Sequence, residues 1–143
     1  MADNDRDVPP GYALRRLGGG FYGLVGPAYL AEADGRRRYG LRADDRHTNP
    51  DGPIHGGLLM TVMDMVLSAT VDRALGGGIP FSTVSLNCDF LAPVKPGDWI
   101  EGEGEITRRT QTLVFLRGRL AVAGSDIMTA SGVWRVFGRT PAR

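Results

Sequence analysis

Ten consecutive residues, Leu58-Leu59-Met60-Thr61-Val62-Met63-Asp64-Met65-Val66-Leu67, carry one charge, Asp64, in an almost wholly apolar run. At about 100° of turn per residue, the apolar side chains of this run cover nearly the full circumference of a helix. Such a helix has no wet side and is expected to be wrapped by other protein. The chain must therefore supply a concave surface around it. Asp64 is out of place in that setting, because burying an unpaired ionised acid costs on the order of several kcal/mol. Acids in such positions pair, protonate or perform chemistry.

The residues ahead of the run are Asn49-Pro50-Asp51-Gly52-Pro53-Ile54-His55-Gly56-Gly57. A helix that starts here presents free backbone N–H groups and the positive end of its dipole. Gly56 and Gly57 remove side chains at that terminus, so a carbonyl oxygen can approach and be polarised, as in an oxyanion hole. One chain cannot use both ends of this device on one carbon. His55 and Asp64 are nine residues apart, which is about 13.5 Å of rise and roughly half a turn of rotation. Gly57 and Asp64 share a face but are separated by about 10.5 Å along the axis. If both act in one reaction, two antiparallel copies must lie side by side, so a symmetric dimer with interfacial sites is expected.

At 143 residues and 42% hydrophobic content, the chain suits one domain with a single core. Residues 1–20 read as a mobile N-terminal tail, 21–138 as the folded domain and 139–143 as a C-terminal tail. A formal net charge of +1 gives no overall basic field for nucleic acid, and no stretch approaches the ~20 apolar residues of a membrane span. Neither nucleic acid nor a membrane is an expected partner. The N-terminus lacks the apolar stretch of a secretion signal, and Cys88 has no second cysteine to pair with, so a cytoplasmic setting is expected.

Along the chain, Phe21 to Ala33 and Arg37 to Ala43 read as two strands joined at Asp34-Gly35, a hairpin signal. The helix is expected from Ile54 or His55 to Leu75, ended by Gly76-Gly77-Gly78. Four strand-like segments follow: Phe81 to Leu91, Asp98 to Arg108, Thr112 to Ala123 and Asp126 to Phe137. Trp99, Glu101, Glu103 and Glu105 alternate with Ile100 and small glycines, giving one wet and one packed face. The expected class is α+β, with a curved antiparallel sheet wrapped around one long central helix.

This order of elements, with Asn49, Gly52-x-x-His55-Gly56-Gly57, Asp64 and Ser82-Thr83-Val84-Ser85-Leu86-Asn87-Cys88-Asp89-Phe90-Leu91-Ala92-Pro93, resembles the hotdog-fold acyl-CoA thioesterases of the PaaI-like group. The resemblance spans roughly residues 29–136. It implies a hotdog-fold dimer or tetramer that hydrolyses an acyl-CoA thioester, with coenzyme A as part of the substrate and no separate cofactor. It further implies Asp64 as nucleophile or general base and the Gly56 N–H as donor to the thioester carbonyl. His55 would steady the carbonyl or thiolate side, Asn49 would hold the acid or the attacking water, and Thr83 would position that water. Gly57 would adjoin the substrate, and Arg108 and Arg109, read as lying in a turn, are candidates for the phosphates of the coenzyme.

Other readings remain open on sequence grounds. The same scaffold could act on an acyl group carried by a carrier protein, or bind acyl thioesters without cleaving them. A hydratase is disfavoured because no histidine follows Asp64. His47, His55, Asp44, Asp45 and Asp51 are close in sequence, but their spacing matches no common zinc pattern, so no metal is expected. Cys88 reads as a small strand residue and not as a nucleophile.

Overall fold

The computed structural model describes residues 7–138, so the expected C-terminal tail and the first six residues of the N-terminal one lie outside the described part. Seven antiparallel strands form one sheet: β1 (Ala13–Arg15), β2 (Ala28–Ala33), β3 (Arg36–Arg42), β4 (Phe81–Phe90), β5 (Trp99–Arg109), β6 (Leu113–Val122) and β7 (Ser125–Val136). Their spatial order is β1-β2-β3-β5-β6-β7-β4. The described residues hold two α-helices, α1 (Phe21–Val25) and α2 (Gly56–Leu75), with a single 3-10 turn at Asp45–His47, and α2 packs on one face of the sheet. The β2–β3 hairpin turns at Asp34 (φ 54°) and Gly35 (φ 72°), the left-handed pair that a tight hairpin of this hand requires.

The helix α2 starts and stops where its end residues dictate. His55 is the N-cap, and Gly76 closes the C-terminus in the left-handed region (φ 83°), with its N–H on the Arg73 carbonyl. Met63, Val66, Leu67 and Val71 are fully buried against Ile100, Leu116, Leu120, Met128 and Trp134. Each such side chain contributes about 1.5–3 kcal/mol by leaving water. The helix lies close to the sheet because the strands beneath it carry glycines. A Cβ at Gly104 would stand 2.5 Å from Thr70 Oγ1, and one at Gly118 would stand 2.8 Å from Leu67 Cδ2.

The expectation of a helix wrapped on every side needs correction. Gly57, Met60, Thr61, Asp64, Met65, Ser68 and Asp72 recur every three or four residues and are exposed or half-buried, so one stripe of α2 is uncovered within a single chain. The adjacent strand β4 is the sheet edge and is exposed along most of its length, including Val84 (61%) and Phe90 (51%). The sheet curves around part of the helix and stops there.

Two corrections concern the N-terminal region. Phe21–Val25 is helical, not part of a strand, because residues far along the chain satisfy its C-terminal carbonyls. Arg46 Nη1 donates to Leu24 O (3.0 Å) and Nη2 to Gly26 O (2.8 Å), while His47 Nε2 bonds Val25 O (2.8 Å). Asp44 grips the same guanidinium at 2.8 Å. Ala13–Arg15, expected in a mobile tail, is instead the edge strand paired with β2. Tyr12 beside it stacks edge-on against Trp99 with ring centroids 5.1 Å apart. Trp99 is thereby covered, and the wet face of the sheet begins only at Glu101. Glu103 and Glu105 there pair with Arg38 (2.7 Å) and Arg117 (2.9 Å).

Candidate active site

At the start of α2 the backbone is built by a cap. His55 adopts an extended conformation and its Nδ1 accepts the Gly57 N–H at 2.7 Å. With Nδ1 accepting, the ring proton lies on Nε2, and the imidazole is exposed. The Gly57 amide is therefore occupied, whereas the Gly56 N–H has no partner among the described residues. Of the two glycine amides expected to face a substrate carbonyl, only Gly56 is available.

Nor do the glycines leave the open space that their missing Cβ atoms suggested. A Cβ on Gly57 would stand 2.9 Å from His55 Nδ1, and one on Gly56 would stand 3.2 Å from Phe90 Cε1. Groups of the same chain fill both places. Phe90 is held there by the backbone: Ile54 N–H donates to Val94 O (2.9 Å) and Leu91 N–H to Ile127 O (2.9 Å). The Leu91-Ala92-Pro93 turn is thus tied to the residues that lead into α2.

Two turns further along, Asp64 is half-buried on the uncovered stripe, and Thr83 Oγ1 donates to its Oδ1 at 2.7 Å. A β-bulge puts Thr83 in reach. Thr83 pairs with Trp134 and Ser85 with Val133, which leaves Val84 as the extra residue. Phe81 and Thr83 before the bulge, and Leu86, Cys88 and Phe90 after it, consequently face the helix. This inward row runs from Asp64 back to Gly56. Cys88 lies within it, and burial, then Asp89, then Asp64 push its thiol above the ordinary range, which suits an inert strand residue.

The structure brings together Asp64 with Thr83, His55 with Gly57, and Gly56 with Phe90. It does not join these groups into one constellation within a single chain, because Gly56 and Asp64 are eight residues apart on one helix, about 12 Å of rise. Asn49 closes the preceding loop through its backbone, taking Gly52 N–H on its carbonyl (3.1 Å) and donating its own N–H to Pro53 O (2.7 Å). Its carboxamide makes no hydrogen bond among the described residues. Arg108 and Arg109 end β5 and do not sit in the turn where they were expected. Arg109 Nη1 caps Ala74 O at 3.2 Å at the far end of α2. A cavity of about 650 Å³ bounded by Arg37, Tyr39, Thr70 and Arg73 also lies toward that end and includes neither Asp64 nor Gly56.

His47 is a structural residue, with Nδ1 on the Asp44 N–H (3.0 Å) and Nε2 on Val25 O. Among the described residues no three His, Cys, Asp or Glu side chains are arranged to hold a metal ion, and no helix is long and apolar enough to cross a membrane. Sequence reasoning assigned no role to Phe90 or to the Val84 bulge. Phe90 stood inside the quoted strand motif, but only folding reveals its contact with Gly56.

The family model of the Thioesterase superfamily matches residues 51–126, from just ahead of His55 through the start of β7. The chain belongs to this superfamily. A Pseudomonas aeruginosa protein named as an esterase is 30% identical over 132 residues, which covers 91% of this chain and 98% of that protein. Human acyl-coenzyme A thioesterase 13 is 25% identical over 103 residues, 72% of this chain and 73% of that one. A crystal structure of a phenylacetic acid degradation-related thioesterase from Ralstonia eutropha superimposes with a TM-score of 0.72 at 29% identity, covering 80% of this chain and 88% of that one. The chain has the hotdog fold, its PaaI-like resemblance is borne out, and it is a thioester hydrolase.

Proposed function

We propose that this hydrolase cleaves an acyl-CoA thioester to a carboxylic acid and free coenzyme A, in a cleft that two copies of the chain build together. One observation carries the reading. The Asp64–Thr83 pair lies on the uncovered stripe of α2 and the unpartnered Gly56 N–H at the start of the same helix, too far apart to meet one carbonyl carbon in cis. An antiparallel second helix brings the start of one beside the middle of the other. The exposed edge strand β4, with its apolar Val84, is the surface on which that second copy would pack. The acyl-CoA class is supported by the name of the human relative.

In this reading the thioester carbonyl accepts a hydrogen bond from the Gly56 N–H, at the positive end of the helix dipole. Asp64 of the partner subunit takes a proton from water as the water oxygen adds to the carbonyl carbon; if its carboxylate adds instead, the mixed anhydride left when the sulfur departs is hydrolysed by a water, which releases the acid and restores Asp64. The tetrahedral centre collapses, the C–S bond breaks, and the sulfur leaves as the thiol once protonated. Thr83 holds one Asp64 oxygen and leaves the other free for this work. His55 fixes the helix start, and its exposed Nε2–H can steady the departing sulfur. Asn49 has a free carboxamide with which to hold the water. Arg108 and the remaining Arg109 nitrogens are the candidates for coenzyme phosphates. No further cofactor is needed for this chemistry.

A thiol-release assay over short, medium, long and aromatic acyl-CoAs, run beside acyl groups on a carrier protein, tests the reading. Turnover of acyl-CoA that Asp64→Asn abolishes is the expected result. Turnover confined to acyl-carrier substrates would replace the coenzyme with a protein partner.

A further inference from the structure

We infer that Phe90 is a specificity-determining residue, whose ring walls the acyl group beside its carbonyl carbon and admits chains unbranched at that point. The inference rests on the carbonyl site proposed at Gly56. Three atoms of the ring, Cε1, Cζ and Cδ1, would lie 3.2, 3.5 and 3.8 Å from a Cβ on Gly56. A carbonyl oxygen accepting from the Gly56 N–H sits about 2.9 Å from that nitrogen, so its carbon and the next acyl carbon fall within reach of the ring. The ring faces the helix side of β4 yet is 51% exposed, an apolar surface left open beside an unpartnered amide. Leu86 and Cys88 precede it on the same face of the strand, and Met60 (37% exposed) stands one turn along α2. An acyl chain, not the amide-rich arm of coenzyme A, matches that lining.

The backbone beneath the wall is also anchored. Phe90 pairs with Met128 in the sheet, and the neighbouring Leu91 N–H is held by Ile127 O at 2.9 Å. A methyl branch on the carbon next to the carbonyl would need room on the side the ring fills. A ring anchored at its base can shift by only a few tenths of an ångström before the backbone must follow, so it disfavours the branch, and a smaller side chain would accept it.

The test compares kcat/KM for butanoyl-CoA and 2-methylpropanoyl-CoA in the wild type, Phe90→Leu and Phe90→Ala. Thermal denaturation and sedimentation of each variant are measured alongside. The expected result is a straight-to-branched ratio that falls about tenfold or more in Phe90→Ala and by less in Phe90→Leu, the scale set by one carbon in a shaped pocket. A ratio that stays within about twofold of wild type overturns the inference, whether both substrates are lost equally or only self-association changes. If Phe90→Ala fails to fold, Phe90→Leu alone decides. Failure of the wild type to hydrolyse any acyl-CoA removes the proposed function itself, and the inference with it, which is a distinct outcome.

Discussion

Thr83 Oγ1 donates to Asp64 Oδ1 at 2.7 Å, and the bulge at Val84 is what turns that hydroxyl toward the helix. The hydrogen bond orients a carboxylate that has no cation beside it among the described residues. Asp64→Asn keeps the shape but removes the ionised acid that the proposed reaction uses, so kcat is expected to fall by about 10²–10⁴-fold with the fold intact. Thr83→Val removes one oriented hydrogen bond, a loss of about tenfold in kcat/KM, and Thr83→Ser restores most of it. Thiol release at saturating and limiting substrate measures both. A Thr83→Val variant with wild-type kinetics would show that the contact is merely structural.

Cys88 offers a probe of the same groove, because it is the only cysteine in the chain and its thiol is raised by burial first, then by Asp89, then by Asp64. Alkylation at neutral pH should therefore be slower than for a free thiol, with its pH midpoint above the ordinary thiol range. Replacing Asp64 by asparagine removes one of the raising charges. The midpoint in Asp64→Asn is expected to move down relative to wild type, which a mass-spectrometric alkylation series over pH reads directly. An unmoved or higher midpoint would contradict the electrostatic link between the two residues.

How much of this was legible in the sequence depends on where each element finds its partners. The helix α2 could be read because its signals are local: the apolar run, His55 ahead of two glycines, and the left-handed Gly76 after the last turn. The strands after Pro80 were equally plain from their β-branched and aromatic residues. The helix α1 was not, since its C-terminal carbonyls are satisfied by Arg46 and His47, more than twenty residues away. The Val84 bulge was also hidden, because Ser82 to Phe90 reads as an ordinary strand until it pairs with β7. Gly56 was expected to adjoin a substrate on two grounds, open space and a free amide, and the first of them fails. The space beside it belongs to Phe90, and its usable feature is an unpartnered N–H.

The N-terminal arm should respond to alkaline pH through Tyr12. Burial, and next the charge of Glu101, push its phenol up to about 12, from the usual value near 10. The folded protein therefore holds that proton more tightly than the unfolded chain does. The resulting stability is fully present below about pH 10 and is lost as pH rises toward 12. Tyr12→Phe keeps the ring against Trp99 and removes the titrating hydroxyl. Between pH 10 and 12 the variant is expected to lose less stability than wild type, as followed by urea denaturation at fixed pH values. Equal losses in both proteins would place the alkaline sensitivity elsewhere.

Sharing of the site between copies can be tested by mixing two inactive variants. Asp64→Asn removes the acid and retains Gly56. Gly56→Pro removes the N–H and retains Asp64; proline suits the first position of a helix, and His55 before it already has the extended backbone that proline requires. The ring of Phe90 must give slightly, since the new Cβ stands 3.2 Å from Cε1. Each variant alone is expected to be nearly inactive. After the two are unfolded together and refolded at equal amounts, half of the dimers are mixed, and each mixed dimer has one intact site built from Gly56 of one chain and Asp64 of the other. About a quarter of wild-type activity should return under this symmetry. If the two residues served one site within the same chain, no mixed dimer would hold an intact pair, and the activity would stay at the level of the parents.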